Sequence, residues 1–423
     1  MKQTYRHTTT RNSGPSPCSP RGGERKPLWL LLSLLLLCLT ACSSSDDDQT
    51  TEGPGGEQAK TPTQLYIYVH APKTAVPTRA FPDDDVDPIG NEAKVYSLQI
   101  WVFTHESNKL IGYYSPTETS ALNKTDGYEI LQLTIDEKYA QTDEATRENV
   151  DVYVLANVEA GNCHLTLDHE TTRAELEAAV LAHGSEDAFG LTAPVVTVPE
   201  DLGLPMSGVL RDQRVAGTAP VLRLDNNEEM ARVMLIRTIS KLRFAFANQT
   251  GNEALTIKSI KLNTTMIPEE QYLFMEDGAP YNRKTCHIKT ASGYNTSTAE
   301  LLAATIDDVP TIEQPVVYAW GHEELEPQAY EHMLDEAAAE GKLAQRLYYL
   351  RESDKQLQGE IKYQIGETGE EQTATFKMVD AGGFSRNHIW TVYAYQALAR
   401  LHVVVVDIAP WKTTETNYEF YNW

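Results

Sequence analysis

Four short stretches of this 423-residue sequence carry side chains whose types and spacing invite a chemical reading. Pro205-Met206-Ser207-Gly208-Val209 offers a serine before a glycine but lacks the leading glycine of a nucleophile elbow. Gly321-His322-Glu323-Glu324-Leu325 offers a histidine beside a carboxylate, yet no second histidine follows at the spacing a zinc helix needs. Asp83 to Glu92, "DDDVDPIGNE", has the acid density of a calcium loop, but Pro88 takes the obligatory glycine place and no helices flank it. A solvated acidic loop is expected there. Arg386-Asn387-His388 comes with no placed nucleophile or acid partner and reads as hydrogen bonding at the entry of a strand. These stretches predict no catalytic residue, no metal site, no cofactor and no enzyme.

Cys42 has a chemistry of its own. Arg25 and Lys26 precede an apolar stretch from Leu28 to Leu39, shorter than the roughly 20 residues a membrane-spanning helix needs. It ends in Leu39-Thr40-Ala41-Cys42, small residues before a cysteine, as in a bacterial lipobox. On that reading the bond between Ala41 and Cys42 is cut and the Cys42 sulfur carries the diacylglycerol. Buried acyl CH₂ groups, each worth about 0.8 kcal/mol, then anchor the chain in a lipid membrane. A plain secretory signal with an incidental cysteine is the alternative. Ser43 to Thr51, which includes three consecutive aspartates, has nothing to place in a core and reads as a tether.

Charge divides the chain the same way. The formal net charge is -24; residues 1–41 hold six Lys or Arg and one Glu, which leaves 30 basic against 59 acidic residues, or -29, on the rest. A basic leader precedes a strongly acidic body, and that body would repel nucleic acid. Of five cysteines, only Cys163 and Cys286 lie in the body, too few for a disulfide framework, so both are treated as free.

Beyond the tether the pattern is mostly strands. "QLYIYVH" (64–70) sets Leu65, Ile67 and Val69 against Tyr66, Tyr68 and His70, the period of a half-buried strand. "VYSLQIWVF" (95–103), "VDVYVLANV" (150–158), the long "RVMLIRTISKLRFAFAN" (232–248) and "LTIKSIKLN" (255–263) follow, with strand again to the end. "TTRAELEAAVLAH" reads as a helix, with Thr172 and Glu175 at capping-box spacing; a second short helix is expected from Glu324 to Ala339. "LPMSGVL" (204–210) reads as turn residues closing a unit. The expectation is an all-β fold of two tandem β-sandwiches with a few short helices. Residues 1–41 are then a lipoprotein signal peptide, 42–62 an acidic flexible tether, 63–226 the N-terminal sandwich and 227–423 the C-terminal one.

"VYVLANV" (152–158), "LPMSG" (204–208), "VMLIRTISKLRF" (233–244), "FSRNHIWTVYAY" (384–395) and "APW" (409–411) occur in the order found in the Bacteroidetes fimbrillin (type V pilin) superfamily, which the chain resembles across most of residues 60–423. The resemblance implies transthyretin-like sandwich domains and a lipoprotein exported to the outer face of the outer membrane; the acidic run after Cys42 resembles the surface-export signal of such lipoproteins. It further implies trimming by an arginine-specific protease and polymerisation by strand exchange with other fimbrial subunits. Arg79-Ala80 in "KTAVPTRAFPDDD" is the cleavage candidate, between Pro77 and Pro82, which keep the backbone out of a ladder; an ordinary loop arginine is the alternative. Tyr418, Phe420 and Asn422 of "NYEFYNW" alternate as in a donor strand or a last core strand. A subunit of this class supports adhesion to host or bacterial surface ligands. A non-polymerising anchor or tip adhesin, or a glycan-binding surface lipoprotein with exposed aromatics, is the alternative function.

Overall fold

Alternating and doubly apolar runs with few helix signals fold here almost entirely as strands. The computed structural model describes residues 61–70, 92–116, 128–158, 166–182, 202–226, 229–249, 253–263, 267–275, 344–356, 358–377, 383–397 and 399–410, with short pieces between 286 and 312 and the single positions 189 and 198. In order these hold β1 (Gln64–His70), β2 (Leu98–Thr104), β3 (Leu110–Tyr114), β4 (Tyr128–Thr134), helix α1 (Glu137–Ala140), β5 (Val150–Ala156), helix α2 (Arg173–Ala178) and β6 (Val180–Ala182). Then come β7 (Met206–Thr218), β8 (Val221–Asn226), β9 (Glu229–Met230), β10 (Arg232–Met234), β11 (Ile236–Arg237), β12 (Ile239–Gln249), β13 (Leu255–Leu262) and β14 (Glu270–Tyr272). The last are β15 (Ala299–Glu300), β16 (Thr311–Ile312), β17 (Ala344–Arg351), β18 (Gln358–Ile365), β19 (Glu371–Lys377), β20 (His388–Ala397) and β21 (Arg400–Pro410).

The first sandwich is built around β7, whose two halves serve two sheets. Its first half pairs with β5 and β11, in a sheet that continues through β2 to β3. Its second half pairs with β8, in a sheet that continues to β1 and β4. Leu65, Ile67, Val69, Ile100, Val102, Val152, Val154, Leu131, Leu133, Leu222 and Val233 fill the space between them. In the second sandwich, β12 lies between β17 and β20, with β21 beyond β20; β15, β13, β18 and β19 form the opposing sheet. Leu242, Phe244, Phe246, Ile257, Ile260, Ile361, Trp390 and Val392 make its core. The expected all-β fold is the one adopted.

A third core joins the sandwiches. Trp101, Phe103, Tyr153 and Leu155, on the outer faces of β2 and β5, pack with Leu176 of α2 and with Ile239, Leu273, Phe274, Tyr349 and Ile389. This is why β2 and β5 are apolar on both faces rather than alternating with polar residues. A short ladder between β6 and β14 adds a main-chain link between the two halves.

Three expectations need correction. The stretch 232–248 is not one strand: β10 pairs with β1, β11 with β7, and only β12 enters the second sandwich. The first sandwich's pairing therefore runs past residue 226, to Arg237. "LPMSGVL" does not end a unit in turns, because Met206 opens the 13-residue β7. The helix after Thr172 has its capping box, but it stops at Ala178 and the chain enters β6 at Val180. The helix expected from Glu324 to Ala339 lies outside the described residues.

Candidate functional site

β1 occupies a slot with partners on both edges. Along one edge it pairs antiparallel with β4 over its whole length, from Gln64 opposite Thr134 to His70 opposite Tyr128. Along the other it runs parallel to β8 (Gln64–Tyr66 against Val221–Arg223) and then to β10 (Tyr68–His70 against Arg232–Met234). Leu65, Ile67 and Val69 are completely buried, while Tyr66 and Tyr68 on the opposite face are half-buried. Each buried side chain contributes about 1.5–3 kcal/mol. Without β1, the ladder groups of β4, β8 and β10 would face an empty apolar groove, a template for another strand.

Directly downstream of residues 71–91 sits a buried ionic knot at Glu92. Glu92 is fully buried; its Oε1 lies 3.0 Å from Lys241 Nζ and accepts a 2.5 Å hydrogen bond from the Tyr349 hydroxyl. Its carbonyl oxygen accepts from Arg237 Nε at 2.9 Å. Lys241 and Tyr349 face each other across β12 and β17 of the second sandwich, and Arg237 belongs to β11 of the first. Burial lowers the Arg237 guanidinium to about 10 against the opposing pull of Glu92 and Tyr349. Asn157 (φ +58°) ties down the same segment from Lys94, two residues after Glu92. It accepts from the Tyr96 amide at 2.8 Å and donates to the carbonyls of Lys94 and Leu204, both at 2.8 Å.

Arg386, Asn387 and His388 form a second buried network at the start of β20. Arg386 donates to Glu352 (2.6 Å ion pair) and to the carbonyls of Leu273 and Tyr272. Glu352 also accepts from the His287 amide. Asn387, at φ +54°, donates its amide to the Ile239 carbonyl. His388 Nδ1 stands 3.1 Å from Ser385 Oγ and 2.7 Å from the Arg386 carbonyl. Ser385 and His388 are both fully buried, at the entry of β20. Among the described residues no group of three His, Cys, Asp or Glu is placed to hold a metal ion. Cys286 is free; burial pushes its thiol well above the ordinary range, and it donates to the Ser353 carbonyl.

Of the residues singled out in the sequence, Ala41, Cys42, Arg79, Ala80, Cys163, Tyr418, Phe420 and Asn422 lie outside the described residues. The strand between Cys42 and Arg79, "QLYIYVH", is where alternation placed it. The acidic-loop reading of "DDDVDPIGNE" fails at its last residue, since Glu92 is buried against two cations rather than solvated. Glu92, Arg237, Lys241 and Glu352 were not anticipated. Their one signal is that Lys241 and Arg243 alternate with Leu242 and Phe244 as a surface face would, yet that face is buried as well.

Residues 64–218 match the model of a family described as major fimbrial subunit protein (FimA), the resemblance that the sequence motifs carry. No curated protein matches the chain. Among solved structures, the tip fimbrial protein Mfa3 of Porphyromonas gingivalis with a C-terminal truncation is 10% identical; the match covers 82% of this chain and all of that one, with a TM-score of 0.45. A putative cell adhesion protein of Parabacteroides distasonis is 14% identical over 84% of this chain and 99% of its own, with a TM-score of 0.46. At such scores the fold rests on the strands described above.

Proposed function

Taking as premise a chain that resembles the fimbrillins and matches their major-subunit model over residues 64–218, we propose that it is a structural or accessory subunit of cell-surface fimbriae, assembled by donor-strand exchange and supporting adhesion. On this reading residues 1–41 are removed, Cys42 carries the lipid that holds the precursor at the outer membrane, and 42–62 tether the fold to it. An arginine-specific protease cuts between Arg79 and Ala80, β1 departs, and a neighbour's terminal strand, with Tyr418, Phe420 and Asn422 as candidates, takes the groove.

One observation supports the reading: β1 is the first strand among the described residues, yet it sits inside a sheet, between β4 and the β8–β10 edge. Because every other described strand follows it, β1 is joined covalently to them through residues 71–91 alone, and one cut there separates it. While the loop is intact, the tether holds β1 at high effective concentration over its own groove; a cut turns rebinding into a bimolecular event, and a donor competes. Arg79→Ala tests this. The variant is expected to accumulate as full-length lipoprotein with no high-molecular-weight ladder, and ladders equal to wild type would refute cleavage at Arg79.

A further inference from the structure

We propose that Glu92 is a positioning residue for strand release: it fixes the chain just downstream of residues 71–91 to both sandwiches, so that a cut in that stretch frees β1 and nothing else. The inference rests on the strand-exchange reading for its purpose, and on Glu92's own contacts for its geometry.

Glu92 holds on in two directions. Its carboxylate reaches Lys241 and Tyr349, a facing pair of the second sandwich, and its carbonyl is held by Arg237 of β11. The Asn157 ties to Lys94, Tyr96 and Ser97 then lead the chain into β2. β1 itself pairs with β4, β8 and β10 and forms no ladder with β2. The stretch 71–91 therefore joins one strand of the groove to a point anchored elsewhere in the fold. If residue 92 were loose, a cut upstream would let the new end fray toward β2, and β2 supplies Leu98, Ile100 and Val102 to the core under the groove. Pinned at Glu92, the groove keeps its floor when its strand leaves.

The test is limited proteolysis of the full chain after a cut at Arg79-Ala80, with the ends of the surviving core read by mass spectrometry. Proteinase K is expected to stop at or before Glu92 in the wild-type protein. In Glu92→Ala it is expected to remove residues 92–95 at least about tenfold faster, the factor that loss of a charged hydrogen bond implies for local opening. Should Glu92→Ala fail to fold, the charge-neutral pair Glu92→Gln with Lys241→Met is used, and the same acceleration is expected. Equal trimming of wild type and variant past residue 92 overturns the proposal. Retention of the β1 fragment against excess synthetic QLYIYVH peptide would instead count against strand exchange, and it leaves the trimming end point to be judged separately.

Discussion

Gly208 on β7 stands so close to β10 that a β-carbon placed on it would lie 2.7 Å from the Val233 side chain and 2.6 Å from the Met234 carbonyl oxygen. Val233 pairs with Val69, so β10 closes the far half of the β1 slot from this position. Gly208→Ala must push β10 outward. The expected cost to the uncut protein is about 1–3 kcal/mol, read from the urea midpoint, with faster loss of β1 after cutting. An unchanged midpoint would mean that the slot wall yields freely.

Burial on one face of β1 predicts an asymmetry between neighbours. Ile67→Ala should destabilise the uncut first sandwich by about 2–5 kcal/mol, whereas Tyr66→Ser, on the half-buried face, should cost well under that. Once β1 has been removed and replaced by a donor, the two variants should be indistinguishable from wild type in assembled stability. A residual Ile67→Ala deficit in fibres would show that β1 is still present.

The pair Glu352 and Arg386 is fully buried, and removing one partner strands the other. Arg386→Leu is expected to cost about 3–5 kcal/mol in chemical denaturation. Glu352→Gln, which keeps the shape and one acceptor, should cost less. Equal, small effects would mean that water reaches the site.

Stability should also respond to pH from both sides. The hydrogen bond to Asp151 raises His105 above its ordinary 6.5, so its contribution is complete below that value and fades as pH rises through the higher folded value. Burial works against Glu177, but hydrogen bonds from Tyr153, Arg211 and Arg173 bring it down to about 2. Its contribution is present above pH 4.5 and is lost as pH falls toward about 2. Both groups are more than a third exposed, so each effect is held below about 1 kcal/mol by solvent screening. His105→Gln should flatten the alkaline slope and Glu177→Gln the acid one in thermal melts; unchanged slopes would contradict the assignments.

Alternation located β1 and β13, because a half-buried strand writes its period into the sequence, whereas β2 and β5, buried on both faces, were legible as short apolar runs. The break at Leu235 and Thr238, which turns 232–248 into three strands, was hidden because apolar residues recur through all three pieces, although the core-facing positions move from Val233 and Leu235 to Leu242, Phe244 and Phe246. The knot at Glu92 was illegible for a different reason. An acid at the end of an acidic run looks solvated, and only the fold brings Lys241 and Arg237 to it across more than a hundred residues. The Thr172–Glu175 capping box was readable because its partners are three residues apart.

The central claim is that β1 leaves and another strand fills its place. Its most direct measurement is the intact mass and N-terminal sequence of the subunits within denaturation-resistant ladders recovered from the cell surface. The account predicts chains that begin at Ala80 and lack "QLYIYVH". Ladder subunits that retain residues 64–70, or that still carry lipid on Cys42, would contradict it.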